Sequence, residues 1–466
     1  MHTGIRSCHR AIKVGPPALL FLSLSMGCRS IPIMVPDMAR KPTPSVQING
    51  AYGPLTLKQS QEILSRLKIN APATSIFDRH LAVETAIVGT PMAAGNRIEL
   101  LIDGPTTYES MFTAICKATS NINMETYIIE DDEIGRTFSR LLIAKQKSGV
   151  QVNLIYDSVG SISTPTAFFD SMKQQGINVL QFNPINPLVA RRGWQVNQRD
   201  HRKLLIVDGL IAFVGGINIS SVYSSGSFGR ARVPKGNIPW RDTHLRMEGP
   251  VVLDFQSIFL ATWSQQKGDP LAPSRYFPEQ RRMGSEVVRA IASSPEEPYS
   301  QIYATLLSAI NNAESKAYIT NAYFVPDPQL LAALKNASRR GVDVRLLLPG
   351  KSDSSLVLHA SHSYYDELLA SGVKIYERKE AVLHAKTATI DGVWSTIGST
   401  NLDWRSFLHN QEINAVVLGQ DFGSQMERLF EKDLASSKLI TLHAWRARPI
   451  SARIKERAAR LWARWL

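Results

Sequence analysis

Residues 197–218 read NQRDHRKLLIVDGLIAFVGGIN, and the organisation of the whole chain follows from them. In extended backbone, alternate side chains share a face, so His201 and Lys203 point together while Arg202 points away. An imidazole and an ammonium converging on one spot outline a phosphate site. Residues 204–207 read as a buried strand, Asp208-Gly209 as a turn and residues 211–214 as a return strand. Gly215-Gly216 then bring backbone close to whatever the histidine touches.

The pattern returns at residues 384–401, HAKTATIDGVWSTIGSTN. There His384, Lys386, Asp391, Gly398, Ser399 and Asn401 stand where His201, Lys203, Asp208, Gly215, Gly216 and Asn218 stand, at identical spacing. From average residue usage, one histidine-x-lysine-x4-aspartate match arises by chance in about one chain of this length in thirty. Two copies, each with the same glycine and asparagine beyond it, mark an internal duplication.

The paired stretches resemble the HKD motifs of the phospholipase D superfamily, and over residues 94–435 the sequence is most similar to bacterial cardiolipin synthases. The resemblance implies two halves related by a pseudo-twofold axis, each giving one motif to a shared active site. The residues agree on fold class. In each half an apolar helix, a strand, a helix, a glycine and a strand follow one another, at residues 108–156 and again at 301–348. Such alternation predicts an α/β fold of two similar halves with mostly parallel β-sheets flanked by helices.

Composition sets outer bounds. A chain of 466 residues, 44% hydrophobic and 20% charged, is globular and long enough for two domains or one duplicated unit. Its formal charge of +13 favours anionic partners: nucleic acid, anionic lipid or a phosphodiester. Of three cysteines, Cys8 and Cys28 fall in the N-terminal segment, which leaves Cys116 without a partner and excludes a disulfide framework. No apolar run is long enough for an ordinary transmembrane helix.

Residues 1–28 read as a signal peptide: Arg6, Arg10 and Lys13 precede an apolar run that ends at Gly27-Cys28. Cys28 after glycine resembles a bacterial lipoprotein cleavage site, although Ser25 stands where leucine is usual; lipoprotein, plain signal peptide, uncleaved anchor and an untargeted tail all stay open. Residues 29–55 read as a linker, 56–270 as the first half, 271–297 as the inter-half segment, 298–440 as the second half and 441–466 as a basic tail. Placement at a bacterial cell envelope, on its membrane, follows from the signal segment and the tail.

Attack on a phosphodiester needs a nucleophile, a proton for the departing alkoxide, and positive charge around the phosphoryl oxygens. Two histidines and two lysines supply all three, so neither metal nor cofactor is expected. The candidate catalytic set is His201, Lys203, Asp208, His384, Lys386 and Asp391. Asn218, Ser399 and Asn401 are candidates to hold phosphate oxygens. Each histidine needs a carboxylate to fix its tautomer, and Asp242 and Glu412 are the candidates. Asp208 and Asp391 precede glycines at turns, so a purely structural role is equally open to them. Glu125, Tyr127, Asn321 and Tyr323 lie near strand ends as pocket-lining candidates. Residues 220–240, with Arg230, Arg232 and Lys235, read either as a phosphate-gathering lid or as a surface excursion. His359 and His362 read as helix-surface residues.

In the tail, Ile450, Ile454, Ala458, Leu461, Trp462 and Trp465 fall on one helical face, with Arg453, Arg457, Arg460 and Arg464 on the other. Tryptophan with arginine suits an anionic membrane interface; the alternative is a terminal helix packed on the body. Two function classes follow. A lipid enzyme would move a phosphatidyl group through a phosphohistidine, joining two phosphatidylglycerols into cardiolipin with release of glycerol, or hydrolysing phospholipid to phosphatidic acid. A metal-independent nuclease would use the same chemistry on nucleic acid, which the signal segment and tail disfavour.

Overall fold

The structure is a computed structural model, and it describes residues 45–186, 195–225 and 238–466. The expected signal segment, most of the linker and the arginines of the expected lid fall outside the described residues.

Two strands precede the core: β1 (Ile48–Gly50) and β2 (Gly53–Pro54) form a hairpin. The expectation of a structureless linker up to residue 55 is corrected here, because β1 also pairs in parallel with the first core strand. Ile48 is fully buried in the second half's core, which explains why this segment is ordered.

In the first half the strands are β3 (Met92–Leu101), β4 (Asn121–Thr126), β5 (Gln151–Asp157), β6 (Asn178–Phe182), the two-residue β7 (Arg199–Asp200), β8 (Lys203–Val207), β9 (Ile211–Gly215), the two-residue β10 (Trp240–Arg241) and β11 (His244–Glu248). In the second half they are β12 (Glu286–Ser293), β13 (Lys316–Thr320), β14 (Asp343–Pro349), β15 (Lys374–Arg378), the two-residue β16 (Val382–Leu383), β17 (Thr387–Ile390), β18 (Trp394–Gly398), β19 (Asn410–Leu418) and β20 (Ser437–Ile440).

Their pairing is a palindrome. From one edge it runs β6–β5–β4–β8–β9–β11–β3. It then continues β12–β19–β18–β17–β13–β14–β15, with β20 closing the far edge. Each half therefore repeats the other's strand order, as a duplication requires. Strand direction refines the expectation. Only β4–β5–β6 and β13–β14–β15 run parallel within the core, where helical crossovers link them. The motif hairpins β8–β9 and β17–β18 and the strands that join the halves are antiparallel, so the sheet is mixed. Tight Asp-Gly turns reverse the chain between the hairpin strands, and a reversed neighbour must run antiparallel.

The segment expected to separate the halves, 271–297, also needs correcting. It carries β12, which pairs with β3 on one side and β19 on the other and so joins the halves. One apolar cluster fills the space between them, built from Leu204, Ile206, Val214 and Leu245 of the first half and Ile397, Ile413 and Val417 of the second. Alternate residues of the first hairpin point into it, on the face opposite the one the sequence assigns to chemistry.

Candidate active site

Both motif histidines stand just before a core strand, each pinned by backbone to the opposite half. β7 runs parallel to the start of β19, and the His201 N–H donates to the Gln411 carbonyl at 3.0 Å. β10 runs parallel to β16, and the His384 N–H donates to the Arg241 carbonyl at 2.8 Å. In both cases the accepting carbonyl belongs to the residue before a carboxylate, so Glu412 arrives at His201 and Asp242 at His384.

The contacts are direct. His201 Nδ1 lies 3.1 Å from both carboxylate oxygens of Glu412, and His384 Nδ1 lies 2.7 Å from Asp242 Oδ2. Both carboxylates are fully buried. With Nδ1 engaged, Nε2 is the nitrogen each ring leaves for a substrate. The brace is crossed: each histidine is oriented by the half that does not contain it.

Buried ion pairs hold the braces in place. Under the first, Arg199 donates to Ser158 Oγ at 2.8 Å and faces Asp157, while the Asp200 N–H donates to Asp157 Oδ2 at 2.9 Å. Under the second, Arg241 and Arg378 share Asp433, each with a contact of 2.7 Å. Removing one partner of such a pair strands a buried charge, so both frames are rigid.

Electrostatics follow from burial. His201 is pushed down to about 4 by burial and by Lys203, against the pull of Glu412. His384 is lowered as well, by burial and by Lys386. Burial lowers Lys203 to about 7, with Lys386 adding to the shift and Glu412 opposing it, and lowers Lys386 to about 8 against the pull of Asp242 and Glu412. For Glu412, burial alone would raise the carboxyl, but His201, Lys203 and the Ser399 hydroxyl hold it below the usual range. Asp242 is opposed by burial in the same way and held low by His384, Lys386 and the Thr243 N–H. The site thus holds neutral imidazoles on ionised carboxylates beside two buried lysines whose charged forms a phosphodiester anion would favour.

The comparisons with known proteins fall in line with this geometry. A family model described as "Cardiolipin synthase, PLD-like domain" matches residues 111–225 and 306–434. The chain belongs to the phospholipase D-like cardiolipin synthase family. It is 36% identical over 376 residues to a cardiolipin synthase of Geobacillus kaustophilus, covering 80% of this chain and 72% of that protein. To cardiolipin synthase A of Pseudomonas putida it is 36% identical over 357 residues, 75% of this chain and 71% of the relative. Among solved structures, phosphatidylserine synthase of Haemophilus influenzae shares the fold with a TM-score of 0.58 at 14% identity, covering 79% of this chain and 95% of that one. The protein is accordingly a phospholipase D-type enzyme, a phosphatidyltransferase acting on phospholipid.

Not every residue expected in this phospholipase D-like site is brought to it. Asp208 and Asp391, expected in the catalytic set, lie at the far ends of β8 and β17. The Asp208 carboxylate accepts the N–H groups of Thr119, Ser120 and Asn121 at 2.7 to 3.1 Å; that of Asp391 accepts those of Glu314, Ser315 and Lys316. A strand of five residues spans about 16 Å, so each aspartate pins the loop leading into the neighbouring core strand and does not touch the histidine. Ser399, expected on phosphate, donates instead to Glu412 at 2.5 Å and belongs to the brace. Asn218 accepts from the Ile128 N–H and donates to the Tyr223 hydroxyl, and Asn401 is buried with its side-chain oxygen unbonded. Glu125 is fully buried beneath the motif, beside Asp200 and 3.5 Å from Arg202. His362, expected on a helix surface, is instead largely buried: it pairs with Glu377 at 3.0 Å and packs on Trp445.

Tyr223 is the residue the sequence did not announce. Its hydroxyl lies 3.2 Å from both Asn218 Nδ2 and His384 Nδ1. Trp240 tilts over the same imidazole at 5.2 Å between ring centres, and Tyr127 meets His201 edge-on at 4.9 Å. No motif spacing marks Tyr223, because it sits on a single 3-10 turn in the connection between the first motif and Asp242, the carboxylate that serves the second. Among the described residues no cluster of histidine, cysteine and carboxylate side chains is arranged to hold a metal ion, and no helix is long and apolar enough to cross a membrane.

Proposed function

We propose that the enzyme joins two phosphatidylglycerols into cardiolipin and releases glycerol, working at the membrane surface of a bacterial cell envelope. The crossed histidine–carboxylate pairs carry this reading, since they supply a matched base and acid on one phosphate without metal; the names of the relatives supply the lipid.

In the first step His201 Nε2 attacks phosphorus while the bond to the departing glycerol oxygen breaks. Protonated His384, its proton favoured once the phosphate anion is bound, gives that proton to the alkoxide. In the second, the glycerol hydroxyl of another phosphatidylglycerol gives its proton to His384 and attacks phosphorus. The phosphorus–nitrogen bond breaks and both histidines are restored. Lys203 and Lys386, with Asn218 and Asn401, face the non-bridging oxygens throughout. Glu412 and Asp242 stay ionised and keep Nδ1–H on each ring.

The deciding experiment mixes purified protein with phosphatidylglycerol vesicles. Cardiolipin and free glycerol should appear in equal amounts, with chelator present, and added glycerol should reverse the reaction. His201→Ala and His384→Ala should each abolish turnover in folded protein. An acid-quenched adduct on His384 in place of His201 would exchange their roles. Phosphatidic acid as the main product would mean hydrolysis of phospholipid, and cleavage of DNA without lipid turnover would mean a nuclease.

A further inference from the structure

The tail helix Ile450–Leu461 lies on the body the wrong way round for a core-packing helix. Its buried positions are Glu456 and Ala459, followed by Ala463 in the short turn Ala463–Trp465, and they rest on the helix Ser355–His362 side of the second half. Glu456 is held there by Arg448 at 2.6 Å. At 100° per residue this stripe of one glutamate and two alanines lies opposite Ile450, Ile454 and Leu461. These three are 72%, 61% and 80% exposed, and Trp462 and Trp465 beyond them are 58% and 76% exposed. Burying such residues is worth more than burying alanine, so a helix stabilised by the body alone would turn the other face inward.

We infer that this outward ridge is the face by which the enzyme docks on an anionic bilayer, presenting the active-site rim to the lipid; the inference rests on the phosphatidyl-transfer reading only for that last clause. Charge identifies the occupant. Arg453 and Arg457 stand on one flank of the ridge, with Arg460 on Glu367 and Tyr364 and Arg464 over Trp404 behind them, and Lys455 lies toward the other flank, a basic margin that anionic headgroups match around inserted tryptophans. A second copy of this chain packed ridge to ridge would set the same arginines against one another.

The ridge is tied to the site by a short chain of contacts. The Leu466 carbonyl accepts the Arg405 N–H at 3.0 Å, on the short helix Trp404–Leu408 that follows the second motif. The Arg405 guanidinium in turn donates to the carbonyl and side chain of Asn197, both at 3.3 Å. Four residues on stands His201. A surface held by Trp465 thus lies a few contacts from both motifs, and exposed Leu408 and Val196 extend the apolar area along the same path.

Point substitutions test this without removing the buried stripe. Binding is read by flotation with vesicles of phosphatidylcholine alone and of phosphatidylcholine mixed with phosphatidylserine, an anionic lipid outside the proposed reaction. Trp462→Ser with Trp465→Ser should weaken binding about tenfold on the anionic vesicles. Arg453→Gln with Arg457→Gln should weaken it about tenfold on the anionic vesicles alone and flatten its salt dependence. Both double variants should turn over monomeric short-chain phosphatidylglycerol like the parent and lose rate only on vesicles. Parent protein that ignores anionic vesicles, or variants that bind as the parent does, would overturn the inference. So would a parent dimer that the tryptophan substitutions dissociate. Vesicle binding without any turnover of monomeric substrate would leave the docking face standing and sink the transfer reading.

Discussion

Gly216 is where the two braces differ most, and a single methyl group there tests the crossed arrangement. The position matches Ser399 in the second motif, yet a Cβ on Gly216 would lie 2.3 and 2.6 Å from the carboxylate oxygens of Asp242 and 2.8 Å from its carboxyl carbon. Non-bonded contact is comfortable only beyond about 3.3 Å, so in Gly216→Ala the carboxylate must retreat by about 1 Å. The bond it makes to His384 Nδ1, 2.7 Å long, then passes out of hydrogen-bond reach. A displacement of that size in a catalytic group lowers rate by about a hundredfold, or about 2.7 kcal/mol of barrier. The expected result is a hundredfold fall in kcat on short-chain phosphatidylglycerol, followed by chromatography of the products, with KM little changed. Ser399→Ala removes only the hydroxyl on Glu412 and should cost about tenfold. The reasoning fails if Gly216→Ala melts like the parent and keeps kcat within about threefold.

Three further outcomes are expected. Tyr223→Phe deletes the hydroxyl shared by Asn218 and His384, so kcat/KM should fall about tenfold with the melting temperature nearly unchanged; an unaltered pH–rate profile in that variant would deny the tyrosine any part in poising His384. Asp391→Ala orphans the backbone N–H groups of Glu314, Ser315 and Lys316, and denaturant titration should show a loss of about 2–4 kcal/mol while the folded fraction stays active; loss of turnover in folded protein would return Asp391 to the catalytic set. Because Lys203 and Lys386 are lowered to about 7 and about 8, their charges are present below those values and lost as pH rises through them, so kcat/KM should decline on the alkaline side there. A profile flat from about pH 6 to 9 would contradict that.

The duplication made most of the site legible. Identical spacing from His201 to Asn218 and from His384 to Asn401 located both motifs, and the acidic residues Asp242 and Glu412 could be picked out downstream of them. Which histidine each serves was not legible, because nothing local ties residue 242 to residue 384; only the pairing of β10 with β16 does so. Asp208 and Asp391 look catalytic by repetition, yet a repeated structural need, closing the turn onto the next core strand, repeats just as faithfully. The tail was legible only in part. Hydrophobic periodicity finds a stripe but does not say which side faces the body, and here Glu456 and Ala459 take that side while the larger apolar residues stay outside.

The crossed braces give the chain an unusual dependence on its own second copy. A half on its own would display a histidine, a lysine and an asparagine in good order and still lack the carboxylate that aims the ring. Each half is thus an assembly factor for the other's histidine. A substitution that reshapes one carboxylate is felt across the seam, so the two motifs are bound to change together. Exchanging one half with that of a relative would succeed only if β7 still met β19 and β10 still met β16 in register.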